Sequence, residues 1–427
     1  MIEKDIDLVI IGGGPAGLAA AIAAKRAGVR NPLVIERNKT LGGILGQCIH
    51  DGFGLEIYKE SLTGPEYMER DLNEIQQMGI QYMINSMVTN LTSDRKLEVV
   101  NSDGVHKLNA KAVILAMGCR ERTRGALGIP GSRPAGIFTA GAAQYFVNIR
   151  NYMVGTKVVI LGSGDIGLIM ARRLTLEGAK VLTVVEKLPY PSGLPRNVTQ
   201  CLDDFNIPLM LSHTIVDIKG KKRVTGVTIA RVDHKFKPIP KTEIEIPCDT
   251  LIISAGLIPE NELSQKAGII LDPNTNGPQV DDKLQTNIPG IFAAGNVLHV
   301  HDIVDWVSLE SARAGKNAAE YIKHLTISKK PWTDLKQENG GIINLKSGPG
   351  IKYVLPQKIT SNSEQEAMIF LRVKEPAENI FVTLRQGRKH IKKFKQRKVH
   401  PAVMIRLKFN KEILSPKKEL LIELQEK

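Results

Sequence analysis

The sequence predicts an α/β fold of two nested Rossmann-like domains, plus a small C-terminal β domain, and three observations carry that expectation. A G-x-G-x-x-G pattern occurs twice, as Gly12-Gly13-Gly14-Pro15-Ala16-Gly17 and as Gly162-Ser163-Gly164-Asp165-Ile166-Gly167. Each copy follows an apolar strand-like run, Leu8 to Ile11 and Val158 to Leu161, and leads into a helix-like segment. Each is answered by an acid at the end of the next apolar run, Glu36 and Glu186, both 19 residues past the last glycine. One such pattern is weak evidence; two in matching register, each in strand–turn–helix–strand–acid context, are strong.

The residue choices follow from the chemistry of a dinucleotide. The first glycine of each motif makes a tight turn, the second lets a pyrophosphate approach the backbone, and the third lets helix pack on strand. The helix N-terminus offers unpaired N–H groups and the positive end of its dipole. The acid accepts hydrogen bonds from a ribose diol and repels a 2′-phosphate, so Glu186 favours NAD over NADP, while Lys187 beside it weakens the preference.

The segments between the motifs complete the order. Leu8 to Ala24 is an apolar stretch that resembles a membrane span or signal peptide. Pro15, the glycines and the acids Glu3, Asp5 and Asp7 before it fit a buried parallel strand and its helix better. Ala112 to Ala116 with the turn Met117-Gly118 closes the first unit. A second unit, inserted over about 121–283, holds the second motif and closes with Thr250 to Gly256. The chain then returns to the first unit at 284–325, with Gly290-Ile291-Phe292-Ala293-Ala294-Gly295-Asn296 and a long helical pattern from about Ile303. Asp302 reads as that helix's N-cap. A linker covers 326–341, and 342–427 alternates short apolar runs with turns and charge, as a small antiparallel β domain does.

Length and an ordinary apolar fraction (42%) suit a globular protein of two or three domains. The net charge of +14 is concentrated at one end: from Lys329 onward about 22 Lys and Arg face about 10 Asp and Glu. The four cysteines, Cys48, Cys119, Cys201 and Cys248, have no C-x-x-C spacing, which fits a reducing cytoplasm and argues against a zinc site or a disulfide framework.

These motifs resemble the two-dinucleotide-binding-domain flavoproteins, the pyridine nucleotide-disulfide oxidoreductase superfamily, over residues 1 to about 325. In that family the first unit binds FAD and the inserted unit NAD(P)H. The resemblance therefore assigns Gly12, Gly14, Pro15, Ala16, Gly17, Glu36, Arg37, Gly43, Ala116, Gly118, Gly295 and Asn296 to FAD. It assigns Gly162, Gly164, Asp165, Ile166, Gly167, Glu186 and Gly256 to NAD. Two departures stand out. The disulfide reductases carry a redox cysteine pair after a Gly-Gly doublet, but Leu41-Gly42-Gly43-Ile44-Leu45-Gly46-Gln47-Cys48 holds one cysteine, so a local dithiol relay cannot form. The closing motif usually ends in Asp, where this chain has Asn296.

Several stretches, including Leu41 to Gly54, Gly118 to Gly141 and Gly295 to Asp305, look like the FAD/NAD-binding subunits of multi-subunit dehydrogenases. Those are the cyanide-forming glycine dehydrogenase, opine and sarcosine oxidase, and glycerol-3-phosphate-dehydrogenase-associated types. The resemblance implies an oxidoreductase subunit that exchanges hydride between NAD(H) and FAD and trades electrons with a second flavoprotein dehydrogenase subunit. Two rivals stay open: a stand-alone NADH-dependent flavin reductase or oxidase, and a non-catalytic nucleotide-binding scaffold with a polyanion-binding tail.

Four residues are candidates for the chemistry. Cys48 is a reactive thiolate, a charge-transfer donor or a packing residue, and His50 shares its loop. His299 and His301 follow the closing motif and could pass protons near the flavin. Without further ligands nearby, their H-x-H spacing is not expected to hold a metal. Arg120, Arg122, Arg124 and Arg133 either hold a phosphate or are solvated. The run Gly387 to Lys398 is a solvated hairpin, an acidic-partner face, or a site for peripheral membrane contact; with Phe394 its one aromatic, nucleic acid is not expected. A chain ending near Thr326 is expected to fold and keep both motifs.

Overall fold

The computed structural model describes residues 2–327, 341–360, 366–416 and 418–426, so most of the expected linker lies outside the described residues. The chain divides into two compact units, one of Met1–Cys119 with Pro259–Lys427 and one of Arg120–Ile258.

The first unit is built on β1 (Ile2–Ile11), α1 (Pro15–Arg26) and β2 (Pro32–Ile35). Its sheet runs Gln81–Met83, β2, β1, Gly104–Leu115, Lys96–Asn101, Met87–Leu91, with Ile291–Ala293 also beside Gly104–Leu115. The central strands are parallel, with Leu8 opposite Pro32 on one side and Ala112 on the other, and Ile291 opposite Val113. Leu8, Val9 and Ile10 are fully buried, because a parallel strand covered on both faces needs apolar residues at every position.

The second unit repeats the plan. β3 (Lys157–Leu161) leads through α2 (Asp165–Leu176) to β4 (Lys180–Glu186), and the strands lie in a parallel sheet ordered Leu209–Leu211, β4, β3, Thr250–Ile253, Ile137–Thr139. The unit ends at Ile258, well before the expected 283. The intervening stretch stays with the first unit because Ala267, Ile269 and Val280 are buried in its core.

The long helix is α3 (Val304–Ile327), packed against α1. Among the described residues no helix is long and apolar enough to cross a membrane. Asp302 departs from the expected cap: one carboxylate oxygen accepts the Met404 N–H at 3.0 Å and the other has no partner.

The C-terminal residues form two sheets. One is ordered Lys358–Thr360, Ile342–Ser347, Leu420–Gln425, Ala377–Gln386 and β5 (Lys389–Val399); the other is ordered Ile351–Leu355, Glu366–Val373 and Ile405–Asn410. The densest charge run is therefore a strand. It has no apolar alternation of its own and is held by antiparallel pairing to Ala377–Gln386 across Gly387, whose φ of +59° suits the turn. This region is no appendage. Tyr353, Leu355, Phe370 and Met404 belong to the same apolar core as β1 and α3, and Gln357 accepts the Val280 N–H at 2.9 Å. Ending the chain near Thr326 would expose that core face, which weighs against the expectation that such a chain folds unaided.

Candidate functional site

In the first unit the glycine loop is shaped by what stands behind it. Gly12 lies at φ +109°, and a Cβ there would collide with the carbonyl oxygen of Ala116; one on Gly17 would collide with the carbonyl oxygen of Gly12. Gly14 is different. Its backbone is extended, and the nearest atom to an added Cβ is the Gly43 Cα at 3.8 Å, so this glycine leaves room for something other than the protein. Pro15 opens α1 without an N–H, no side chain caps the helix, and no acid lies in its first turn, which leaves its amides to an anion. Glu36 is buried, accepting Gly13 N–H and Asn38 N–H, both at 2.8 Å. Arg37 stands 3.7 Å from Glu260. Gly118 has φ +70° at the turn after Gly104–Leu115.

The closing motif meets this loop in space. A Cβ on Gly295, at φ +73°, would lie 2.8 Å from the Ala16 Cβ. Asn296 accepts the His301 N–H at 3.0 Å and directs its amide at the Cys119 sulfur, 3.6 Å away. The tertiary structure thus brings Gly12 to Gly17, Gly43, Ala116 and Gly295 to one place from four parts of the chain.

The loop bearing Cys48 and His50 is pinned to α3 by Asp305, which sequence reasoning did not single out. Its carboxylate accepts Gly54 N–H at 3.1 Å and Ile57 N–H at 3.0 Å. Cys48 donates to the Ile44 carbonyl at 3.3 Å, and burial pushes its thiol up to about 12. A thiol so placed stays protonated at neutral pH, which argues against the thiolate reading and for packing. The His50 ring lies 5.0 Å from Phe53.

In the second unit, Gly162 at φ +95° backs onto the Ser254 carbonyl, and a Cβ on Gly167 would lie 2.6 Å from Ser254 Cβ. Gly164 is extended, and α2 has no side-chain cap. Asp165, in its first turn, turns aside to accept Leu194 N–H and the Asn197 amide, both at 2.7 Å. Ile166 is half-buried beside it. Glu186 is buried and accepts from Ser163, Ser192 and Leu188, so its carboxylate is fixed in place behind the loop. The Lys187 ammonium sits over the Phe236 ring at 5.4 Å. Gly256, at φ +98°, accepts the Arg122 N–H, which places that arginine at the loop's edge.

His299 and His301 come together with a residue that had not been anticipated. Glu310, three residues past Val307 on the buried face of α3, accepts from His299 Nε2 at 2.9 Å and from His301 Nε2 at 3.2 Å. The buried face of α3 also carries Asp305, Ser308 and Ser311, so Glu310 does not stand out from it in the sequence. Burial, then the neighbouring His301, push the His299 imidazole below its usual range. The three groups lie within 4.8 Å of one another, a spacing that could hold a cation. Each is already hydrogen-bonded within the protein.

The sequence profile of the family described as pyridine nucleotide-disulphide oxidoreductase matches residues 6–319. The chain is 27% identical over 328 residues to a thioredoxin reductase of Listeria monocytogenes, covering 76% of this chain and 96% of that protein. It is 28% identical over 283 residues to the hydrogen cyanide synthase subunit HcnB of Pseudomonas protegens, covering 61% of this chain and 58% of that one. The crystal structure of T. acidophilum thioredoxin reductase superposes with a TM-score of 0.61 at 24% identity, over 76% of this chain and 99% of that one, a likeness of fold.

Proposed function

The chain belongs to the pyridine nucleotide-disulphide oxidoreductase family, and from that premise we propose that it is an oxidoreductase subunit that exchanges hydride between NAD(H) and bound FAD and passes electrons to or from a partner dehydrogenase subunit. The thioredoxin-reductase-like family uses FAD and NAD(P)H. The observation that carries the reading is that both glycine loops, each with its buried acid, lead into a helix N-terminus with no side-chain cap, and that Gly14 leaves open space in the first.

FAD suits the first loop, because Gly295 closes against Ala16 of α1 there. NAD suits the second, where the fixed Glu186 carboxylate disfavours a 2′-phosphate and Lys187 is engaged with Phe236. Nicotinamide and flavin supply the hydride chemistry when bound. The protein's residues hold the pyrophosphates on helix amides, set the ribose ends with Glu36 and Glu186, and fix the flavin loop through Asn296.

Disulfide reduction by a local dithiol is disfavoured, since Cys48 has no second cysteine in its loop and its thiol is held protonated. Charge and kinship support the partner. Lys389, Lys392, Lys393, Lys395, Arg397 and Lys398 are exposed on β5, which among the described residues is the outer strand of its sheet. Such a strand is a natural face for an acidic surface. HcnB is by its name a subunit. The free cysteines fit a cytoplasmic setting.

Anaerobic titration with NADH tests the core of the reading: the bound flavin should bleach with about one equivalent. Purification from the native host tests the partner. A flavoprotein should copurify, and charge reversal of Lys392, Lys393 and Lys395 should release it. A lone full-length chain with high NADH oxidase turnover would instead mark a stand-alone reductase.

A further inference from the structure

A buried polar cluster joins the C-terminal β region to the loop assigned to the flavin. Glu310 is 1% exposed, and both of its oxygens are hydrogen-bonded inward. One oxygen takes Gly295 N–H at 2.8 Å and His301 Nε2 at 3.2 Å; the other takes His299 Nε2 at 2.9 Å. Burying a carboxylate is costly unless donors surround it. Here burial opposes ionisation, but the two histidines outweigh it and hold the Glu310 carboxyl well below the usual carboxylate range. The group keeps its negative charge, and one of its three donors is the backbone of the closing loop itself.

The β region supplies the walls. The Tyr353 hydroxyl lies 3.3 Å from His299 Nδ1. The Phe370 ring stands 5.7 Å from the His299 ring and 6.1 Å from the His301 ring. Arg372 donates to the carbonyls of Val300 and Pro401 and so binds the histidine segment to the β region. The charged and titratable groups facing the cluster are therefore Tyr353 and Arg372 from the β region, with Asp302 on the histidines' own segment.

We propose that Glu310 is a positioning residue of the flavin site whose retained charge sets the reduction potential of the bound flavin, with Tyr353 and Phe370 as the wall that keeps that charge out of water. This rests on the flavin assignment made above. The physical reason is that a two-electron reduction adds negative charge near a loop whose Gly295 N–H is already spent on a buried anion. At low effective dielectric, such an anion opposes the added charge over several ångströms. In a water-filled site the same carboxylate would be screened and would do little.

The test is a redox titration of the full-length flavoprotein. Glu310→Gln is nearly isosteric, and its one carbonyl oxygen can still accept from Gly295 and His301 while its amide N–H turns to His299, but it carries no charge. It should raise the midpoint potential by a tenfold or larger change in the reduction equilibrium, about 30 mV for a two-electron couple. Tyr353→Phe, which removes one hydroxyl, should shift it in the same direction by less. Leu355→Ala opens a cavity in the same strand as Tyr353 without touching the cluster, and should lower stability with the potential unchanged. Three results overturn the proposal: an unshifted potential in flavin-loaded Glu310→Gln, an equal shift in Leu355→Ala, or a stoichiometric metal in the wild-type protein that Glu310→Gln loses. Wild-type protein that never binds flavin would instead remove the functional reading on which the proposal stands.

Discussion

Replacing Gly14 by valine separates cofactor binding from folding. Gly14 has φ −79° and ψ −174°, an extended backbone open to any residue, and an added Cβ meets only the Gly43 Cα at 3.8 Å. The fold should therefore lose about 1 kcal/mol or less, the scale of a changed helix N-cap. The branched side chain would occupy the space that a pyrophosphate needs to reach the amides of α1. Losing two hydrogen bonds to a charged phosphate, at roughly 1.5–3 kcal/mol each, amounts to about 3–6 kcal/mol, or a flavin affinity weaker by roughly 10²- to 10⁴-fold. The assay pairs flavin content of the purified protein with its thermal unfolding. Gly17→Ala is the contrast, because its methyl would collide with the Gly12 carbonyl oxygen and should cost fold and flavin together. Gly14→Val protein with full flavin occupancy and near-native affinity would refute the argument.

Further outcomes follow from other parts of the molecule. NADH should reduce the flavin more efficiently than NADPH, and Glu186→Gln should narrow that ratio in stopped-flow reduction. An equal rate with both nucleotides in the wild type would remove the role given to Glu186. Asp71 is buried with one oxygen unpartnered, and burial raises its carboxyl to about 7 from 3.8. Because the folded pKa is raised, the stability from the protonated form is present below about pH 4 and lost as pH rises through 7. Asp71→Asn should gain on the wild type by up to about 4 kcal/mol between those limits; urea unfolding at several pH values that gave a flat difference would contradict this. Truncation after Ile327 should yield insoluble or flavin-free protein, and Leu355→Ala should cost about 2–5 kcal/mol; a soluble, yellow truncated protein would show that the shared core is dispensable.

Much of the architecture was legible in the chain because it rests on local patterns. Turn glycines, apolar runs and an acid at fixed spacing specify a strand–turn–helix–strand unit through contacts that are close in sequence, and the pattern appears twice. The same logic located Gly12 to Gly17, Glu36, Gly162 to Gly167 and Glu186. It also placed β structure in the C-terminal region. The charge run was left open between a hairpin and other uses, because β5 gains its strand from pairing with Ala377–Gln386 and not from any alternation of its own.

What the tertiary structure alone decided are the contacts between distant segments. Nothing in the spacing of His299 and His301 points to Glu310, whose side chain arrives from the inner face of a helix and is identifiable only once that face is known to be buried. Nothing near Cys48 foretells that its thiol is held protonated, since that depends on what covers it. The tail read as separable because its net charge and composition differ from the rest. Yet Tyr353, Leu355, Phe370 and Met404 lie in the core of the first unit. Apolar burial has no sequence range: a sequence shows which side chains need covering, and only the fold shows which distant segment covers them.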